Sequence, residues 1–216
     1  MNTLSVLTDL PLLRYKLWLR WHRLDYKPNT VEELGLDPAV AHPNAMSGGP
    51  HLERVLRTLD IPHDARCIDF GCGKGIAALT LAKYFNLVVG VDLSPLLIEV
   101  ARLNADKVNA VNAVFFQDDA RDAWLDYDTY AYAFNPFPAA VMAQVSRNII
   151  ESVDRIPRKF TFIYKAPFYG DELLKAGFHL PRIFEFRNDH PVHVYTVGEP
   201  TAQGQPEQDS REACKG

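Results

Sequence analysis

The chain has 216 residues, is 47% hydrophobic, and carries 27 acidic against 23 basic side chains, a formal net charge of −4. That is enough apolar material for one large core, and the acidic balance, with no Lys/Arg run in the catalytic half, argues against a dedicated nucleic-acid binder and a DNA base as substrate, leaving a small RNA or ribosomal substrate open. The three cysteines, Cys67, Cys72 and Cys214, form neither a disulfide framework nor a metal cluster and suit a reducing, cytoplasmic setting.

In chain order, Leu4 to Trp21 is broken by Asp9, Pro11, Arg14, Lys16 and Arg20, so it is no transmembrane span. Arg14 to Arg23, RYKLWLRWHR, is a basic-aromatic helix expected to pack its Leu/Trp face on the domain. Its alternative use is contact with an anionic membrane or an acidic partner. Asp25 to Pro50 is turn-rich, and His51, before the first strand, is expected on the surface.

Arg66 to Asp92, RCIDFGCGKGIAALTLAKYFNLVVGVD, predicts strand, glycine loop, helix from Ile76 to Tyr84, and a second strand ending on an acid. Gly71, Gly73 and Gly75 permit a sharp turn and close ligand approach, and the following helix offers its free N–H groups there. Asp92 suits a ribose diol. A dinucleotide fingerprint would carry its third glycine at Ile76, and Lys74 lacks Walker A spacing. Asp69 beside the loop would repel a pyrophosphate and suit a cationic amino group or sulfonium.

The D-x-G-x-G-x-G run from Asp69 to Gly75, with Asp92, resembles the first two motifs of the class I S-adenosylmethionine (SAM)-dependent methyltransferases. The resemblance implies SAM as cofactor. It places Asp69 near the methionine amino group, Gly71, Gly73 and Gly75 around the methionine moiety, Asp92 on the ribose and Leu93 beside the adenine. It also implies an acid for the adenine amino group at Asp119, with Asp118 as the alternative.

Ser94-Pro95 is a helix-start pair followed by an apolar stripe from Leu96 to Leu103. Further strands are predicted over 112–116, 127–134, 159–164, 182–186 and 192–197. Helices are predicted around Val141 to Val153 and from Asp171 to Ala176, closed by Gly177. The expected fold is α/β: a Rossmann-like, seven-stranded, mostly parallel sheet with helices on both faces and an antiparallel C-terminal hairpin. The expected division is an extension over 1–59, a catalytic domain over 60–197 and a disordered tail over 198–216.

Asn135-Pro136-Phe137-Pro138 ends the fourth strand, where an open α/β sheet presents its ligand. An Asn side-chain oxygen and a proline-fixed carbonyl can share the two hydrogens of one N–H2 group, and Phe137 can stack on a planar acceptor. The segment is similar to the N-P-P-[F/Y] motif of amino-methyltransferases. Here Phe137 holds the third position and Pro138 the aromatic one, which leaves lysine and small-molecule amines open. With Val141-Met142 and Ile163-Tyr164-Lys165-Ala166-Pro167, it also resembles a bacterial-type group distantly like the Dot1 lysine methyltransferases.

The expected function is methyl transfer from SAM to an amine or amide nitrogen of a protein or small molecule, with no general base required. A non-catalytic SAM-binding partner subunit and an oxygen methyltransferase are the alternatives. No metal site is expected: His190-x-x-His193 has no third ligand nearby, and strand alternation would point its rings to opposite faces.

Overall fold

The computed structural model describes residues 10–198; Cys214, the expected tail beyond Gly198, and Leu4 to Asp9 lie outside them. The elements are α1 (Leu10–Trp21), α2 (Pro50–Leu56), β1 (Arg66–Phe70), α3 (Ile76–Leu81), β2 (Leu87–Asp92), α4 (Pro95–Lys107) and β3 (Ala113–Gln117). There follow β4 (Tyr130–Phe134), α5 (Ala139–Arg155), β5 (Phe160–Lys165), α6 (Gly170–Ala176), β6 (Arg182–Phe184) and β7 (Val192–Val197).

The strands form one sheet in the order β3-β2-β1-β4-β5-β7-β6. Strands β1 to β5 are parallel, and β7 runs antiparallel to both β5 and β6. This is the Rossmann-like arrangement the sequence predicts. Strand β5, FTFIYK, is buried along its whole length because helices cover both sides of the sheet. On one face Cys67, Val88, Phe115, Tyr132 and Ile163 pack under α1 to α4; on the other Ile68, Phe70, Val91, Phe162 and Tyr164 pack under α5 and α6. Tyr15 and Leu19 of α1 and Leu52 and Val55 of α2 belong to the first layer, so the N-terminal helices share the sheet's core.

Local chemistry sets the boundaries. The Ser94 side chain caps α4 by accepting the Leu97 N–H at 3.3 Å, with Pro95 in the first turn. Helix α5 buries Val141, Val145, Ile149 and Val153, one residue per turn along a single stripe. Gly177, at φ 115°, ends α6. Strand β4 starts at Tyr130, three residues later than the pattern suggests, because Asp128 N–H turns back to the Leu125 carbonyl at 3.1 Å. Helix α3 stops at Leu81, where the Tyr84 N–H bonds the Leu81 carbonyl at 2.8 Å and tightens the chain into a turn. The order reverses at β1, which lies between β2 and β4, and the carboxyl ends of these strands frame the site.

Candidate cofactor and acceptor site

A cleft partly open to solvent lies over those strand ends. Its floor includes Gly71, Cys72, Asp92, Leu93, Pro136 and Phe137, and Asp118 and Asp119 lie on its wall. Residues 24–48 cross it as a strap, of which Tyr26, His42, Asn44 and Met46 are lining residues.

The glycine loop is shaped by backbone need. Gly71 has φ 64°, and a Cβ there would come within 2.2 Å of the Pro136 Cβ, so only glycine lets β1 run against the end of β4. Gly73, at φ 53°, has Asn44 of the strap where its Cβ would be, and Gly75, at φ 77°, abuts Phe115 and Ala101. Gly71 therefore faces the cleft, while Gly75 serves the packing of the loop on β3 and α4.

Asp92 accepts the Gly73 N–H on Oδ2 and the Ser94 N–H on Oδ1, both at 2.9 Å. Burial pushes its carboxyl up, and those two bonds pull it back. Asp92 lines the cleft and each oxygen keeps a second acceptor site, which suits the two hydroxyls of a ribose. Asp69 is only 1% exposed, does not line the cleft, and leaves Oδ2 without a partner among the described residues. Burial, reinforced by the Asp92 charge, holds it well above the usual carboxylate range. A cationic group above the loop would relieve that orphaned oxygen. Asp119 is bound through both oxygens by Arg121, at 2.9 and 2.6 Å, and Asp118 accepts the Asp119 N–H at 2.8 Å. The Arg121 hydrogen bonds hold the Asp119 carboxyl below its ordinary range.

At the end of β4, Asn135 adopts the left-handed conformation, φ 40°, and Ala166 does the same at the end of β5, φ 49°. Such backbone costs on the order of 1–3 kcal/mol and gathers at functional sites. The Asn135 Oδ1 accepts the Tyr164 hydroxyl at 3.3 Å. The His42 N–H donates to the Pro136 carbonyl at 3.0 Å, and His42 Nδ1 lies 2.8 Å from the Asn135 carbonyl. Asn135 is half-buried and outside the lining, whereas Pro136 and Phe137 line the cleft.

Several contacts carried no sequence signal. Lys74, 7% exposed, donates to Asp25 at 3.0 Å, and Asn104 holds the Asp25 carbonyl at 2.8 Å, which ties the strap to the loop. His51 is part-buried rather than on the surface: Nδ1 lies 2.7 Å from Asp189 Oδ2, and its ring stacks on Phe186 at 4.6 Å. Lys165 Nζ meets the same carboxylate at 2.8 Å and lies 5.0 Å from the Phe134 ring, which lines the cleft. Burial raises the Asp189 carboxyl, and the bonds from Lys165 and His51 more than reverse this, leaving it low. Contacts between residues more than a hundred positions apart, as for His51 and Asp189, leave no local pattern to read. Among the described residues, no group of three or more His, Cys, Asp or Glu side chains is placed to hold a metal.

Residues 67–157 match the family model described as a methyltransferase domain. The chain is 33% identical over 136 residues to the ribosomal protein L11 methyltransferase of Dechloromonas aromatica, covering 59% of this chain and 43% of that protein. It is 26% identical over 171 residues to the 23S rRNA (uracil(1939)-C(5))-methyltransferase RlmD of Edwardsiella ictaluri, covering 74% of this chain and 36% of that one. The chain thus spans less than half the length of these curated relatives. In fold it is similar to an RNA methyltransferase from Salinibacter ruber solved with S-adenosyl-L-homocysteine, at a TM-score of 0.59 and 18% identity, over 74% of this chain and 98% of that one. It is also similar to TrmN from Thermus thermophilus, at a TM-score of 0.54 and 19% identity, over 68% and 48%.

Proposed function

This chain carries a class I SAM-dependent methyltransferase domain, and from that premise we propose that it transfers the methyl group to an amine or amide nitrogen held at Asn135 and Pro136. When bound, SAM supplies an electrophilic methyl on a sulfonium. Asp92 would hold the ribose, Gly71 would receive the amino-acid end with Asp69 buried behind it, and Leu93 with Asp118 or Asp119 would meet the adenine.

The observation that carries the nitrogen reading is the immobilised pair of acceptors at the end of β4. Tyr164 takes one acceptor direction of the Asn135 oxygen, and the His42 N–H takes one from the Pro136 carbonyl. Each oxygen keeps another, enough to engage the two hydrogens of a single nitrogen and turn its lone pair toward the methyl. Because the transfer is an in-line displacement, such alignment supplies much of the rate. The relatives named above act on a ribosomal protein and on a ribosomal RNA base. The RNA relative is named for a carbon, C5 of a uracil, so a protein side-chain nitrogen is the first acceptor to try.

The test couples SAM calorimetry to transfer of labelled methyl into fractionated cell extract. Asn135→Ala is expected to bind SAM as the parent does and to lose about a hundredfold in transfer. Full transfer by that variant would overturn the nitrogen reading, as would label released by mild alkali, the mark of a methyl ester.

A further inference from the structure

Helix α1 has two apolar faces, and among the described residues only one is packed. Tyr15 and Leu19 are buried and Trp18 is half-buried against the domain. Leu10, Leu13, Leu17 and Trp21 are 45%, 54%, 56% and 84% exposed. At about 100° per residue these four fall in a sector roughly 80° wide, opposite Tyr15 and Leu19. Arg14 borders that sector on one side, Arg20 and Lys16 on the other, and all three are exposed. No acidic residue occurs from Leu10 to Leu24, although the whole chain is net negative.

We propose that α1 seats the protein on an anionic lipid surface, lying in the plane of the interface with Leu10, Leu13, Leu17 and Trp21 inserted. The charge pattern selects this occupant. An apolar strip edged on both sides by cations matches acyl chains below and acidic headgroups at the level of the basic side chains. A nucleic acid would need the cations at the centre of the face, with aromatic rings for stacking; here the centre is aliphatic. Long basic side chains beside the strip can extend to the headgroups while their stems cover apolar surface. No helix among the described residues is long and apolar enough to cross a membrane, so the contact is peripheral. The face is formed by side chains that the core of the described residues does not use, and it lies outside the cleft.

The full chain should sediment with vesicles of phosphatidylcholine mixed with phosphatidylglycerol, remain in solution with phosphatidylcholine alone, and be released by salt. Leu17→Glu and Trp21→Glu should each weaken partition about tenfold or more while leaving the thermal melt unchanged. Arg14→Glu with Arg20→Glu, which replaces only exposed side chains, should weaken it comparably and serves as the second variant if an apolar replacement disturbs folding. The proposal is overturned if anionic vesicles fail to bind the folded chain, or if these variants bind as the parent does. It is equally overturned if the face is found to bind single-stranded RNA or to join two copies of the chain, with vesicle binding absent.

Discussion

Asp128 shows how the fold can work against one of its own side chains. It is 2% exposed and 3.5 Å from the Arg66 guanidinium, beyond a good hydrogen bond. Burial pushes its carboxyl up to about 6, with the Arg66 and Arg158 charges pulling it partly back. A carboxyl raised in the folded state keeps its proton where the unfolded chain has already lost it. Its favourable contribution is therefore complete below the unfolded value and disappears as pH rises toward about 6. Asp128→Asn removes that dependence. Urea unfolding of the two proteins at acid and neutral pH should show the variant gaining on the parent by at most about 3 kcal/mol as pH rises. A constant difference between them would mean that Asp128 is already charged in the folded protein throughout.

Among the elements, the glycine loop and the end of β4 behave as one piece because Gly71 and Pro136 are in contact. Gly71→Ala forces a methyl group into the proline and keeps φ 64°, so it should cost about 1–3 kcal/mol and weaken SAM as well. Thermal melts with and without S-adenosylhomocysteine would separate the two losses, and an unchanged ligand-induced shift would uncouple the loop from β4. The loop, the strands and the Ser94 cap were legible in the sequence because their signals are local: glycine spacing, β-branched runs, and a hydroxyl before a proline. The strap was legible only as turn-rich chain. Its contacts from His42 to Pro136 and from Asp25 to Lys74 join distant positions with no periodicity. His51 was misplaced for the same reason, since its partner Asp189 lies in the turn between β6 and β7.

For the whole molecule, the topology gathers the candidate ligands at one edge while the strap is stitched down along its length. Lys74 and Asn104 hold Asp25, His42 bonds the end of β4, and Thr80 accepts the Gly49 N–H at 2.9 Å just beyond it. A molecule seated beneath that stitching departs only when several polar contacts part together, so its dwell time is set by the protein's own opening frequency. A cofactor held there is expected to load before the acceptor, and its spent form to leave last. Rapid-quench sampling should therefore record an initial burst matching the enzyme present, then a slower steady rate. Replacing His42 with alanine should shorten the slow phase and leave the burst. The strap would then act as a timer, making throughput follow how often it opens more closely than how much acceptor is on offer.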